Sequence, residues 1–104
     1  MFVPVFALAL ATHLVIAVAD SVPILDVTPS CRGAAAAAHV TETKDRMQAC
    51  LDSEQRSRGQ LAKQWSDFAP ADRIYCVNMQ KTFEPTYTEL LTCLEMARDV
   101  KKLK

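Results

Sequence analysis

Four cysteines, Cys31, Cys50, Cys76 and Cys93, constrain this chain more than any other feature, because their use decides whether the fold is stapled, metal-bound or catalytic. An even set with no CxxC pair is the pattern of a small exported domain held by two disulfides. Zinc would need all four thiolates at spacings unlike the usual knuckles, since His39 is the one histidine after residue 19. The lack of CxxCH removes covalent c-type haem by its usual motif. Catalysis by a Cys–His pair through His39 fails as well, because oxidised sulfur is no nucleophile and no third group orients the pair. Neither metal nor cofactor is expected, and His39 reads as a solvated residue near a helix end.

Export is inferred from the N-terminus. Phe2 to Val18 is almost wholly apolar, and Ala17-Val18-Ala19 is the small-x-small pattern that a signal peptidase cleaves. Residues 1–19 are therefore expected to be a signal peptide, with Asp20 the first mature residue. The run approaches the ~20 residues that span a bilayer, so a retained membrane anchor is the rival reading; Pro4, Thr12, His13 and the cleavage-like end argue against it. A lipoprotein is not indicated, because Cys31 follows Thr28-Pro29-Ser30 instead of a leucine-led box of small residues. What remains is one small domain of a periplasmic or secreted protein, without stable membrane association after cleavage.

Composition removes further classes. Twelve Lys and Arg balance twelve Asp and Glu, so no net field draws the chain to nucleic acid. Two glycines, Gly33 and Gly59, leave no glycine-rich loop for a phosphate, which excludes P-loop and dinucleotide enzymes.

No segment alternates with period two over strand length, so the expected fold class is all-α, a small helical domain of about four helices. Residues 20–29, with Pro23 and Pro29, form an extended lead-in of little order in which Ile24 and Leu25 pack loosely, and 30–104 is the helical domain. Ser30 caps a first helix over about 30–39, which includes the alanines Ala34 to Ala38. Thr41 or Thr43 caps a second, running to about Asp67, in which Met47, Leu51, Glu54, Arg58, Leu61, Trp65 and Phe68 step by four and three residues. Glu54 and Arg58 interrupt this heptad seam at the spacing of an ion pair, and Gly59 beside them is the expected kink that divides the helix into two pieces. Pro70 opens a third helix over about 70–80, carrying Ile74, Tyr75, Cys76, Val77 and Met79. Pro85 opens a fourth, with Tyr87, Leu90, Leu91, Cys93, Leu94 and Ala97 as its buried stripe. Its basic end, Arg98 to Lys104, matches the negative pole of the helix dipole.

Hairpin symmetry selects among the three connectivities that four cysteines allow. In an antiparallel helix pair, residues equidistant from the turn lie level, because both helices rise ~1.5 Å per residue. Around a turn near Val40 and Thr41, Cys31 and Cys50 are nine or ten residues away; around Glu84, Cys76 and Cys93 are eight and nine away. Cys50 and Cys76 flank the Ala69 turn unequally, with a mismatch of roughly 18 Å along the axis. The expected pairs are Cys31–Cys50 and Cys76–Cys93, one staple per α-hairpin, with the two hairpins docked through the heptad seam and the Leu90, Leu91, Leu94 face.

Ser30-Cys31, Cys50 with Glu54, Leu61 and Trp65, Arg73 before Cys76, and above all the stretch Thr88-Glu89-Leu90-Leu91-Thr92-Cys93-Leu94-Glu95-Met96-Ala97-Arg98 together resemble small exported four-cysteine helical proteins of unassigned function from alphaproteobacteria. This likeness covers about Ser30 to Val100. A looser one, confined to the long second helix, is to the LprI-type lysozyme inhibitor family, and implies inhibition of a cell-wall hydrolase. The neutral charge does not supply the acidic face that an inhibitor of a basic lysozyme would present.

The functional expectation is a non-catalytic binding or structural module of the periplasm with a periplasmic protein as partner; the alternative is an inhibitor of a cell-wall hydrolase such as lysozyme. Trp65, Phe68 and Tyr75 cluster around the turn between the second and third helices and are the candidate aromatic anchor for a partner, against the plainer reading that they are core. Glycoside chemistry would need two of the carboxylates Glu42, Asp45, Asp52, Glu54, Glu89 and Glu95 facing across a cleft, which four short helices do not offer. No enzyme activity is expected. Oligomeric state is not legible from any motif in the chain.

Overall fold

The computed structural model describes residues 21–37 and 43–103. The segment expected to be a signal peptide, its expected cleavage site, the turn expected near Val40 and Thr41, His39, Glu42 and Lys104 lie outside the described residues. Four helices follow in order: α1 Thr28–Ala36, α2 Thr43–Gln64, α3 Pro70–Gln80 and α4 Tyr87–Lys102, with a 3-10 turn, Trp65–Asp67, closing α2. No strand occurs among the described residues. The fold is all-α, as the missing period-two pattern requires.

Both disulfides are those expected from hairpin symmetry. Cys31 and Cys50 join α1 to α2 with Cα atoms 5.5 Å apart, and Cys76 and Cys93 join α3 to α4 at 5.8 Å. These separations fall inside the range that a disulfide tolerates. Packing runs α1 on α2, α2 on α4 and α4 on α3, so the two stapled hairpins meet along α2 and α4. Leu61, Trp65 and Phe68 from the end of α2 meet Tyr87, Leu90, Leu91 and Leu94 of α4, with Cys76 beside them, to make the core. Each such side chain contributes ~1.5–3 kcal/mol when fully buried, so this cluster and the two bridges carry most of the stability of so small a domain.

Several boundaries and contacts differ from the sequence expectation. Helix α1 starts two residues before Ser30, with Pro29 in its first turn, where a missing N–H costs nothing. Val27, without a side-chain cap, holds the N-cap position expected of Ser30, and one residue earlier Asp26 Oδ1 accepts from the Thr28 N–H at 3.1 Å in a local turn. Helix α2 runs unbroken through Gly59, because an exposed glycine lowers helix propensity without obstructing the ladder. Glu54 and Arg58 form no ion pair among the described residues; Glu54 turns to the start of α4, and Arg58 lies over the Tyr87 ring at 5.8 Å. Pro85 precedes α4 instead of opening it, and Thr86 is the cap, its side chain accepting from Glu89 N–H at 3.0 Å.

The lead-in is ordered where little order was expected. Tyr87 is the reason: its hydroxyl donates to the Pro23 carbonyl at 3.2 Å and accepts from Leu25 N–H at 2.9 Å. Two backbone groups of an extended segment are thereby fixed, and Val22, Leu25 and Val27 pack against the core. Ile24, pointing the other way by strand alternation, stays exposed.

Candidate functional site

The candidate site lies on the α3–α4 hairpin. Helix α3 buries Cys76 and Gln80 toward the rest of the domain, and α4 buries Tyr87, Leu90, Leu91 and Leu94. A helix has more than one face, and the sequence places large apolar residues on a second face of both. On α3, Tyr75 and Met79 stand four apart and therefore on one stripe. On α4, Met96 and Val100 do the same. Phe83, in the connection between the two helices, closes one end. All five are exposed, Tyr75, Phe83 and Met96 by more than 60%.

Together these side chains line an open groove of ≈ 740 Å³ between α3 and α4, with the Cys76–Cys93 staple at its floor through Cys93. Its charged residues lie at the ends. Lys101 Nζ donates to Asp72 Oδ2 at 2.6 Å near the end of α4, and Glu89 stands in the first turn. Contiguous apolar surface rimmed by charge is the usual character of a contact face, and methionine, unbranched and polarisable, adapts to varied partner shapes. The groove offers apolar contact and a charged rim.

The candidate residues read from the sequence are divided by the structure. Cys31, Cys50, Cys76 and Cys93 are all oxidised and cross-linked. Trp65 and Phe68 are buried in the core, under the guanidinium groups of Arg73 at 5.7 Å and Arg98 at 5.2 Å. Tyr75 is not brought to them; it lines the α3–α4 groove, whereas Trp65 borders a smaller pocket of ≈ 340 Å³ with Ile74. Among the carboxylates, Glu54 is buried and given wholly to the backbone and hydroxyl of α4. Met79, Phe83, Met96 and Val100 were missed. Their signal was present in the sequence: each is a large apolar residue off the stripe needed for the core.

No group of three or more His, Cys, Asp or Glu suited to holding a metal occurs among the described residues. No helix among them is long and apolar enough to cross a membrane. Two formed disulfides are the mark of a chain that folds in an oxidising, extracytoplasmic environment. No protein-family model, curated protein or solved structure matches the chain.

Proposed function

We propose that this chain is an exported, non-catalytic helical module of the periplasm that binds a protein partner through the α3–α4 face. The observation that carries this reading is the set of large apolar side chains, Tyr75, Met79, Phe83, Met96 and Val100, left in solvent on a hairpin that a disulfide holds rigid. A scaffold that loses little freedom on binding keeps more of its contact energy as affinity. The apolar N-terminal run ending in Ala17-Val18-Ala19 and the two disulfides support export.

Three measurements test the proposal. N-terminal sequencing of the exported product is expected to return Asp20 first; full-length protein retained in the inner membrane would overturn the cleaved-signal reading. Capture from periplasmic extract is expected to be lost with Phe83→Ser plus Met96→Ser and kept with Lys63→Ala on the exposed side of α2. Equal capture by both variants would remove the groove from consideration. Inhibition of lysozyme by the purified protein would favour the hydrolase inhibitor instead.

A further inference from the structure

We infer that the protein partner of the α3–α4 face is a second copy of this chain, related by a two-fold axis that crosses α4 at the height of Glu95. This rests on the reading of that face as a protein-binding surface, and adds which protein it binds. The order of chemistry along α4 points to this partner. Glu89 stands at the N-terminal end of the groove, Met96 and Val100 form its apolar stretch, and Lys101 stands at the C-terminal end. Glu89 and Lys101 are each six residues from Glu95. When two copies of α4 lie antiparallel about that point, each Glu89 is level with the other copy's Lys101, and the two pairs are separated by ~18 Å along the axis.

The charges are unevenly satisfied within one copy. Lys101 donates to Asp72 yet keeps 57% of its side chain exposed, and Glu89 has no ion pair among the described residues. An incoming Glu89 gives the ammonium a second carboxylate while gaining a cation itself. A parallel arrangement would instead set Glu89 against Glu89, so charge selects the antiparallel one. Met96 lies one residue from the axis, or ~1.5 Å, and meets its own copy there. The Met96 and Val100 ridge of each copy then enters the groove bordered by Tyr75 and Met79 of the other, as ridges of one helix enter grooves between others. A foreign helix would need a cation and a carboxylate ~18 Å apart with an apolar stretch between them, which is the pattern α4 already carries.

Size sets the expected strength. A helix of 16 residues is ~24 Å long, and with α3 beside it at ~9 Å the face covers on the order of 500 Å² per copy. The total is near the ~1,000 Å² at which specific interfaces begin, so the dimer is weak and depends on concentration.

Sedimentation equilibrium of the exported protein over ~1 µM to ~1 mM, the span in which weak pairs dissociate, reads the mass directly. It is expected to rise from one chain to two. Met96→Glu, at an exposed position, is expected to hold the mass at one chain with unchanged far-UV circular dichroism. Glu89→Lys is expected to weaken the dimer about tenfold, and adding Lys101→Glu to restore most of that loss. A single chain at every concentration, or a dimer indifferent to Met96→Glu and Glu89→Lys, would overturn the inference. A photocrosslinking residue in place of Met96, used in cells, separates this inference from the binding reading under it. An adduct of twice the chain mass supports the pairing. An adduct with a different protein overturns the pairing and leaves the binding reading standing, whereas no protein adduct overturns both.

Discussion

Glu54, midway along α2, accepts a hydrogen bond from the backbone N–H of Tyr87 at 2.6 Å and so supplies, from another helix, the anion at the start of α4. The same oxygen accepts from Thr88 N–H at 3.4 Å, and the other accepts from the Thr88 hydroxyl, itself in contact with Ser57 Oγ at 3.0 Å. Gln80, the last residue of α3, accepts from Thr86 N–H at 3.1 Å, while Thr86 accepts from Glu89 N–H. The four consecutive donors from Thr86 to Glu89 thus have partners from α2, α3 and the local cap. An α-helix starts with four such orphan donors, and burying them unpaired would oppose the docking of the two hairpins. The negative charge also faces the positive pole of the α4 dipole.

Truncation of this carboxylate is therefore costly. Glu54→Ala leaves two N–H groups and a hydroxyl without their acceptor in a site that is 6% exposed, and is expected to cost ~3 kcal/mol. In a domain of this size that lowers Tm by about 15 °C. Glu54→Gln keeps one acceptor oxygen and loses mainly the dipole term, ~1 kcal/mol. Thermal denaturation of both variants checks the order, and equal losses would show that the charge, not the acceptor, matters.

The lead-in depends on one hydroxyl. Tyr87→Phe preserves the core ring but removes the partner of Leu25 N–H and Pro23 C=O, and is expected to cost ~1 kcal/mol. Hydrogen exchange at Leu25 should speed up roughly fivefold while α2 and α4 are unaffected. Unchanged exchange at Leu25 would mean that Val22 and Val27 packing alone holds the segment.

How far the sequence discloses this arrangement follows from the range of each interaction. Helix periods, the proline that starts α3, and equal distances to a turn are local or nearly so, and they led to four helices and the two bridges. Glu54 with Tyr87 spans 33 residues and Tyr87 with Pro23 spans 64, and no spacing rule reaches that far. The periodicity flagged Glu54 as an interruption of the apolar seam without indicating what it would meet. From sequence Trp65 and Phe68 read either as core or as anchor, because aromatic residues serve both cores and contact faces, and only packing separates the two. The groove was hidden for the converse reason: α4 carries two apolar stripes, and the core accounted for the stronger one.

Gly59 is a place where the fold is less stable than it need be. A Cβ built there meets nothing within 4 Å, and the residue lies exposed inside the unbroken α2. Gly59→Ala is expected to stabilise by ~1 kcal/mol through helix propensity and a less flexible unfolded chain, raising Tm by about 5 °C. A fall in Tm would mean that α2 bends at this point in solution.

The two staples are expected to act on different parts of the molecule. Each closes a short loop, 19 residues apart for Cys31–Cys50 and 17 for Cys76–Cys93, which the loop-entropy account places at ~3 kcal/mol apiece. Their surroundings are unequal. Helix α1 buries only Cys31 and Ala35 and contributes no side chain to the main cluster, whereas Cys76 sits inside that cluster beside Leu90 and Leu94. Replacing Cys31 and Cys50 together by Ser should therefore free α1 to exchange its amides at nearly unprotected rates while α3 and α4 keep their protection. Replacing Cys76 and Cys93 together removes a similar covalent constraint, and although both pairs bring one hydroxyl to a fully buried position, Cys31 or Cys76, only that at Cys76 lies within the main cluster. Protection should then fall in α2, α3 and α4 together, and Tm should drop further than in the first pair. Hydrogen exchange with mass spectrometry on both variants distinguishes the cases. Loss of protection across all four helices in the Cys31, Cys50 variant would show that α1 holds the core together, and that the domain is one cooperative unit instead of a stable hairpin pair with a tethered first helix.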